Sequence, residues 1–350
     1  MNISQPTGYD RLAPPLQRWL WEQGWSRLRP AQAQAIEPIL EGVCDVVIAT
    51  ATASGKTEAA FLPLLTRLLT GNGKGVILYV APLKALINDQ CERLSLMCER
   101  LDIPVYPWHC DVGQAPRKQF MASPRGLVLI TPESLESLLF RRGNDLAQMF
   151  GQLEAVVMDE LHAFIGNVRG RQLQSLMHRL ETARRVQRVG LSATLGDMAL
   201  AADFLRPGQA SQVRLIVSAS EAKPLQLVLK AVMEPVGFDD TDSTNPAHQQ
   251  IASAMFVRLR QANYLIFPEK TYWVEFYADA LRRQCEAAGL PVTFFPHHGR
   301  LGKSERESTE FELKRGHLPV SAICTSTLEM GIDIGAIKGI VQIGPAVTVC

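Results

Sequence analysis

One strand–loop–helix unit constrains the fold more than any other feature of the sequence. Val46-Val47-Ile48 is an apolar, β-branched run, the loop Thr50-Ala-Thr-Ala-Ser-Gly-Lys-Thr57 follows it, and an apolar helical pattern through Phe61, Leu64, Leu65 and Leu68 completes the unit. Pro63 falls in that helical stretch and is read as close to its first turns, where a missing N–H is tolerated. The same alternation continues, with strand candidates at residues 75–80, 126–130, 155–158 and 188–191 separated by helical patterns. Short apolar runs alternating with helices imply a parallel α/β sheet, whose ligands sit beyond the carboxyl ends of the strands.

At 350 residues the chain is long enough for about two domains. A break is visible between them. Residues 231–257 contain no Lys or Arg, while Glu234, Asp239, Asp240 and Asp242 cluster among Gly, Pro, Ser, Thr and Asn, which reads as an acidic solvated loop. The boundary is placed slightly earlier, because residues 225–232 read as the first strand of a second sheet. The expected domains are therefore residues 1–218 and 219–350. The second half repeats the α/β pattern, with strands at 264–267, 292–295, 320–324 and 339–343. A helix over 271–288 carries Val274, Tyr277 and Leu281 on one face and stops at Gly289.

Net charge is +1, so no global basic field attracts a polyanion, and any nucleic-acid site must be local. The seven cysteines form no CxxC pair and no Cys/His spacing suited to a metal, which fits reduced thiols in a cytoplasmic protein. No apolar run approaches the roughly 18 residues of a membrane span, and the first ten residues lack a signal core, so a soluble protein is expected.

The loop ending Ser54-Gly55-Lys56-Thr57 stands where a phosphate-binding loop must stand, between strand and helix. Gly55 allows close backbone approach, Lys56 would neutralise β/γ-phosphates, and the Thr57 hydroxyl would hold Mg²⁺. Thr50 occupies the place of the usual first glycine. A plain turn before a helix therefore stays open on this motif alone. Val156-Val-Met-Asp-Glu160 narrows the choice: it is an apolar strand ending in two carboxylates, costly unless a cation compensates them. Asp159 would complete the Mg²⁺ shell and Glu160 would orient or deprotonate water. The blander reading makes the pair an acidic cap for the segment starting at Leu161.

Asp159-Glu-Leu-His162 is similar to the DExH box of superfamily 2 helicases, and their other motifs surround it in order. Arg29-Pro-Ala-Gln32 resembles the Q motif, Ala81-Pro-Leu-Lys-Ala-Leu86 motif Ia, Thr131-Pro-Glu-Ser-Leu135 motif Ib and Ser192-Ala-Thr194 motif III. Leu265-Ile-Phe267 resembles motif IV, and the stretch from Thr325 to Asp333 motif V. Pro82-Leu-Lys84, Arg169-Gly-Arg171, His298-Gly299 and the 325–335 stretch look most like the large helicase-related (Lhr) family, with a loop wording also similar to YprA-type relatives. The resemblance implies two tandem RecA-like lobes, parallel sheets flanked by helices, with ATP and Mg²⁺ as cofactors. It further implies that Gln32 reads adenine, that Ser54, Gly55, Lys56, Thr57, Gly331 and Asp333 bind nucleotide, and that His162, Ser192 and Thr194 couple nucleotide state to strand grip. Lys84, Thr131, Arg169, Arg171, His298 and Thr325 would meet single-stranded or tailed-duplex nucleic acid, DNA rather than RNA, with 3′-to-5′ movement.

Among softer features, Trp19, Trp21 and Trp25 read best as packing of an N-terminal helix, and Arg184, Arg185 and Arg188 equally well as a solvated helix face or a nucleic-acid strip. After the strand at 339–343 the sequence carries no arginine-rich motif VI. The expectation is a helicase piece whose second lobe is incomplete and which binds nucleotide better than it hydrolyses it. Three functions stay open: an ATP-driven DNA helicase or translocase, a non-hydrolysing module that clamps nucleic acid, and an RNA helicase.

Overall fold

The structure, a computed structural model, describes residues 8–50, 55–71, 73–182, 184–193, 197–218, 226–233, 245–315, 318–325 and 337–344. The chain divides into two compact units, Met1–Ala222 and Lys223–Cys350.

In the first unit, strands β1 (Asp45–Thr50), β2 (Val76–Val80), β3 (Val105–Trp108), β4 (Gly126–Ile130), β5 (Leu153–Met158), β6 (Gln187–Ser192) and β7 (Val213–Ser218) make one sheet. Its order is β3-β4-β2-β5-β6-β1-β7, and every neighbouring pair is parallel. Every residue of β1, β2, β4 and β6 is buried. Such strands, covered on both faces, are continuous apolar runs, which is why the sequence displays them. The edge strands β3 and β7 are only partly buried, and sequence reasoning missed both. β3 also contains Pro107, which an edge tolerates because one side of the strand needs no ladder partner.

Pro63 lies in the interior of the helix Lys56–Thr70 rather than in its first turns. The bond that residue 63 would donate to Ala59 is lost, and burial of Phe61, Leu62, Leu64 and Leu65 around it holds the helix together.

At the amino ends of β1 and β6 the sheet is fastened by buried charge. Asp45 accepts from Arg206 Nε at 2.6 Å and from the Arg188 backbone N–H at 2.8 Å, and pairs with Arg185 at 3.2 Å. Glu181 bridges Arg188 at 2.8 Å and Arg206 at 2.6 Å. This corrects the reading of residues 184–188 as a helix face. The preceding helix ends at Leu180, Arg188 is buried within β6, and Arg184 donates to the Leu153 carbonyl at 2.5 Å. Trp21 differs from expectation too. It is exposed, and Leu16 and Leu20 anchor the helix Pro14–Glu22 instead.

The second unit contains β8 (Tyr264–Pro268), β9 (Phe294–His297), β10 (Ser321–Cys324) and β11 (Gly339–Ile343), in the order β11-β8-β10-β9 and all parallel. The helix Thr271–Ala287 packs Trp273, Val274, Tyr277 and Leu281 against Ile266, Phe294 and Ile323. Two expectations fail here. Residues 226–233 form no strand, and Leu227, Val228 and Leu229 are exposed. The loop expected to run to residue 257 gives way to a helix at Pro246–Leu259, where the Asn245 side chain accepts from the Ala247 N–H at 2.9 Å. The Asn-Pro pair that looks like a loop is a cap followed by a first-turn proline. Among the described residues, no helix is long and apolar enough to cross a membrane.

Candidate nucleotide site

β6 lies between β1 and β5, so the carboxyl ends of these three strands converge on one place. Gly55 begins the helix after β1 with φ at 85°, a left-handed conformation that disfavours any side chain. A Cβ there would come within 2.4 Å of Gln32 Nε2. Gln32 is fully buried on the helix Pro30–Glu41. Its Oε1 accepts from the Arg29 N–H at 2.9 Å and its Nε2 donates to the Gly55 carbonyl at 3.3 Å. The glutamine thus braces the end of the phosphate loop.

Lys56 is the anomaly of this site. Its ammonium nitrogen is buried and has no hydrogen-bond partner among the described residues. Its charge nevertheless pulls down the pKa values of Asp159, Glu160 and His162, which places all four groups in one electrostatic neighbourhood. A buried ammonium without an acceptor costs several kcal/mol. An anion arriving here would relieve that cost. Thr57, the next residue, is also buried.

Asp159 continues β5 and donates its N–H to the Val80 carbonyl at 2.8 Å. Its Oδ1 accepts the Glu160 N–H at 2.8 Å, and its Oδ2 accepts the Tyr79 hydroxyl. Burial raises its pKa above the usual carboxylate range, with these two hydrogen bonds and Lys56 acting in opposition. Glu160 stands at φ 47°, uncommon for a residue with a side chain and a form of backbone strain that clusters at functional sites. Its side chain caps nothing in the turn Leu161–Ala163, so the plain acidic-cap reading fails. Burial and then the Asp159 charge push Glu160 up to about 7.

His162 Nδ1 lies 3.4 Å from Glu160 Oε2 and 3.3 Å from Ser192 Oγ. Burial, and then Lys56, hold its pKa below the ordinary imidazole value, with the Asp159 charge acting in opposition. Ser192, His162 and Glu160 therefore form a continuous polar chain from β6 to the acid. Ser54, Thr194, Gly331 and Asp333 lie outside the described residues.

The groups expected to meet nucleic acid are more dispersed. Lys84 is exposed and pairs with Asp111 at 3.2 Å. The Thr131 hydroxyl is occupied as the cap of the helix Pro132–Arg141, accepting from the Ser134 N–H at 3.3 Å. Arg169 is a strut: Nε reaches Glu133 at 2.5 Å and Nη2 reaches the Pro82 carbonyl at 2.5 Å, joining the two segments that resemble motifs Ia and Ib. Arg171 is exposed on the same helix, Val168–Leu180. In the second unit, His298 is buried, with Nε2 against Glu275 at 2.5 Å and Nδ1 accepting from the Arg300 N–H at 3.3 Å. Thr325 follows β10 and donates its N–H to the His297 carbonyl at 3.3 Å.

Tyr79 is the site residue that sequence reasoning missed. Its signal was available: a single phenol in the buried run Val-Ile-Leu-Tyr-Val needs an acceptor inside the protein.

Residues 29–201 match the DEAD/DEAH box helicase family. The chain carries a DEAD/DEAH box helicase domain. Similarity extends past that domain. ATP-dependent helicase Lhr-Core protein 2 of Thermococcus barophilus is 28% identical over 358 residues, which cover 96% of this chain and 40% of the relative. The Mycobacterium smegmatis helicase Lhr, solved with ssDNA and AMP-PNP, superposes with a TM-score of 0.77 at 29% identity, covering 96% of this chain and 44% of that one. The DEAD-box helicase Mss116, solved with ssRNA and UDP-BeF, has a TM-score of 0.75 at 17% identity over 95% of this chain and 68% of that chain, a likeness of fold alone. The helicase-domain chain thus spans about two fifths of the length of its Lhr relatives. Its two parallel sheets flanked by helices match tandem RecA-like lobes.

Proposed function

We propose that this chain is part of an ATP-driven helicase or translocase acting on single-stranded DNA. The buried Lys56 ammonium, without a hydrogen-bond partner among the described residues and beside two carboxylates, carries the reading. Lys56 neutralises the β/γ-phosphates of ATP, Gly55 and Gln32 shape the loop around them, and Gln32 also meets the adenine. The donors Thr57 and Asp159 supply only oxygen, which fits Mg²⁺. A bound Mg²⁺ supplies charge neutralisation on the phosphates. Glu160 orients water and accepts its proton, and its raised pKa suits a base working near neutral pH.

The Ser192–His162–Glu160 chain couples the nucleotide to β6 and the segment that follows it. Lys84, Arg171 and the backbone around Thr131 and Thr325 contact the phosphates of the strand, a sequence-independent grip that requires no basic overall charge. Arg169 and His298 act behind them, as the supports that their present partners make them. DNA is favoured over RNA because the Lhr structure at 29% identity holds ssDNA. Movement from 3′ to 5′, a role in repair and a cytoplasmic location complete the proposal, the last consistent with six free cysteines among the described residues.

The test is ATP hydrolysis and strand separation by the full-length protein. Turnover stimulated by ssDNA and unwinding of a 3′-tailed duplex are expected. Equal stimulation by RNA would redirect the substrate class, and tight nucleotide binding without turnover would leave only a clamp.

A further inference from the structure

Tyr79 lies outside every motif that the sequence displays, yet it touches the centre of the site. It is fully buried on β2, which pairs with β5 in the register Tyr79↔Val157 and Val80↔Met158. That register brings the phenol beside Asp159, the first residue beyond β5, whose N–H is itself held by the Val80 carbonyl. The Tyr79 ring packs 6.0 Å from the ring of Phe61, on the helix that begins at Lys56. One side chain therefore touches the phosphate-loop helix and the acid strand together.

The hydroxyl donates to Asp159 Oδ2 while the Glu160 N–H donates to Oδ1. Each carboxylate oxygen then has one lone pair occupied and another open. With a separate donor on each oxygen the carboxylate plane is fixed, and so is the direction of the open lone pairs. Mg²⁺ demands near-ideal octahedral geometry, so a fixed carboxylate favours it over a rotating one. We infer that Tyr79 is a positioning residue that orients Asp159 for Mg²⁺, an assignment that rests on Asp159 serving the metal.

The experiment titrates Mg²⁺ into the protein with a fluorescent, non-hydrolysable ATP analogue and reads analogue binding. Partners of metal ligands are typically worth 10- to 100-fold in metal affinity. Tyr79→Phe keeps the ring and removes only the hydroxyl. It is expected to raise the Mg²⁺ concentration for half-maximal binding about 10- to 100-fold, leaving the affinity in EDTA unchanged and wild-type affinity recoverable at saturating Mg²⁺. Recovery by Mg²⁺ separates positioning from damage, because a misfolded site would not regain affinity. A Tyr79→Phe curve that overlays wild type, or one that saturating Mg²⁺ does not restore, overturns the inference. Asp159→Asn runs alongside. Loss of Mg²⁺ dependence in that variant upholds the role of Asp159 whatever Tyr79→Phe does, whereas unchanged dependence removes the premise itself.

Discussion

Asp45→Asn should destabilise the first unit without touching the nucleotide site, which lies at the other end of β1. In the native fold Arg206 is gripped by Asp45 through Nε and Nη2, at 2.6 and 3.1 Å, and by Glu181 through Nη1 at 2.6 Å. Removing one partner of a buried ion pair costs about 3–5 kcal/mol. Because Glu181 retains Arg206, the loss should fall near the lower figure, about 3 kcal/mol. Arg185 adds little, being 45% exposed. For a unit of this size each kcal/mol moves the melting midpoint about 2–4 °C, so the unit should melt about 6–12 °C lower.

The effect also has a pH signature. Burial opposes ionisation of Asp45, but Arg206 and the Arg188 N–H outweigh it and hold its pKa below the ordinary value. A depressed carboxyl contributes stability above its unfolded pKa of about 3.9 and loses it as pH falls through the folded value. Thermal melts followed by circular dichroism should therefore show a constant gap between the two proteins from neutral pH down to about 5, narrowing below about 4. A gap under about 2 °C at pH 7, or one that widens in acid, would refute the reasoning.

Other changes separate the parts of the site. Glu160→Gln should cut DNA-stimulated hydrolysis in the full-length protein about 10²- to 10⁴-fold while leaving Mg·ATP affinity intact, as equilibrium binding would check. Gly55→Ala places a Cβ at φ 85° and 2.4 Å from Gln32 Nε2, so nucleotide affinity should fall about tenfold in a fluorescent-nucleotide titration. Arg169→Ala distinguishes a strut from a direct contact. A strut lowers the melting midpoint by about 2–4 °C, the loss being modest because the Arg169–Glu133 pair is partly solvated. An unchanged midpoint with weakened ssDNA binding would favour direct contact.

What the sequence revealed follows from burial. β1, β2, β4 and β6 are covered on both faces and show as apolar runs, whereas β3 and β7 alternate or carry charge and pass unnoticed. The apolar segment at 225–232 misled for the opposite reason: composition suits a strand, but Leu227, Val228 and Leu229 are exposed and unpaired with any described strand. In the site, Lys56, Asp159, Glu160, His162 and Ser192 were legible because their spacing follows strand ends. For Tyr79 the local run shows only that the phenol needs an acceptor; which acceptor it meets comes from β2 lying beside β5, a pairing no local pattern encodes. Arg169 was legible as a residue but not as a support, since Glu133 and the Pro82 carbonyl are distant in sequence.

The central claim is that the Lys56 ammonium stands ready for phosphate. Calorimetric titration of ATP into the wild-type chain and Lys56→Ala tests it directly. A charge-assisted contact to phosphate predicts that the variant loses about 100-fold in ATP affinity. Equal ATP affinity in the two proteins would contradict the account.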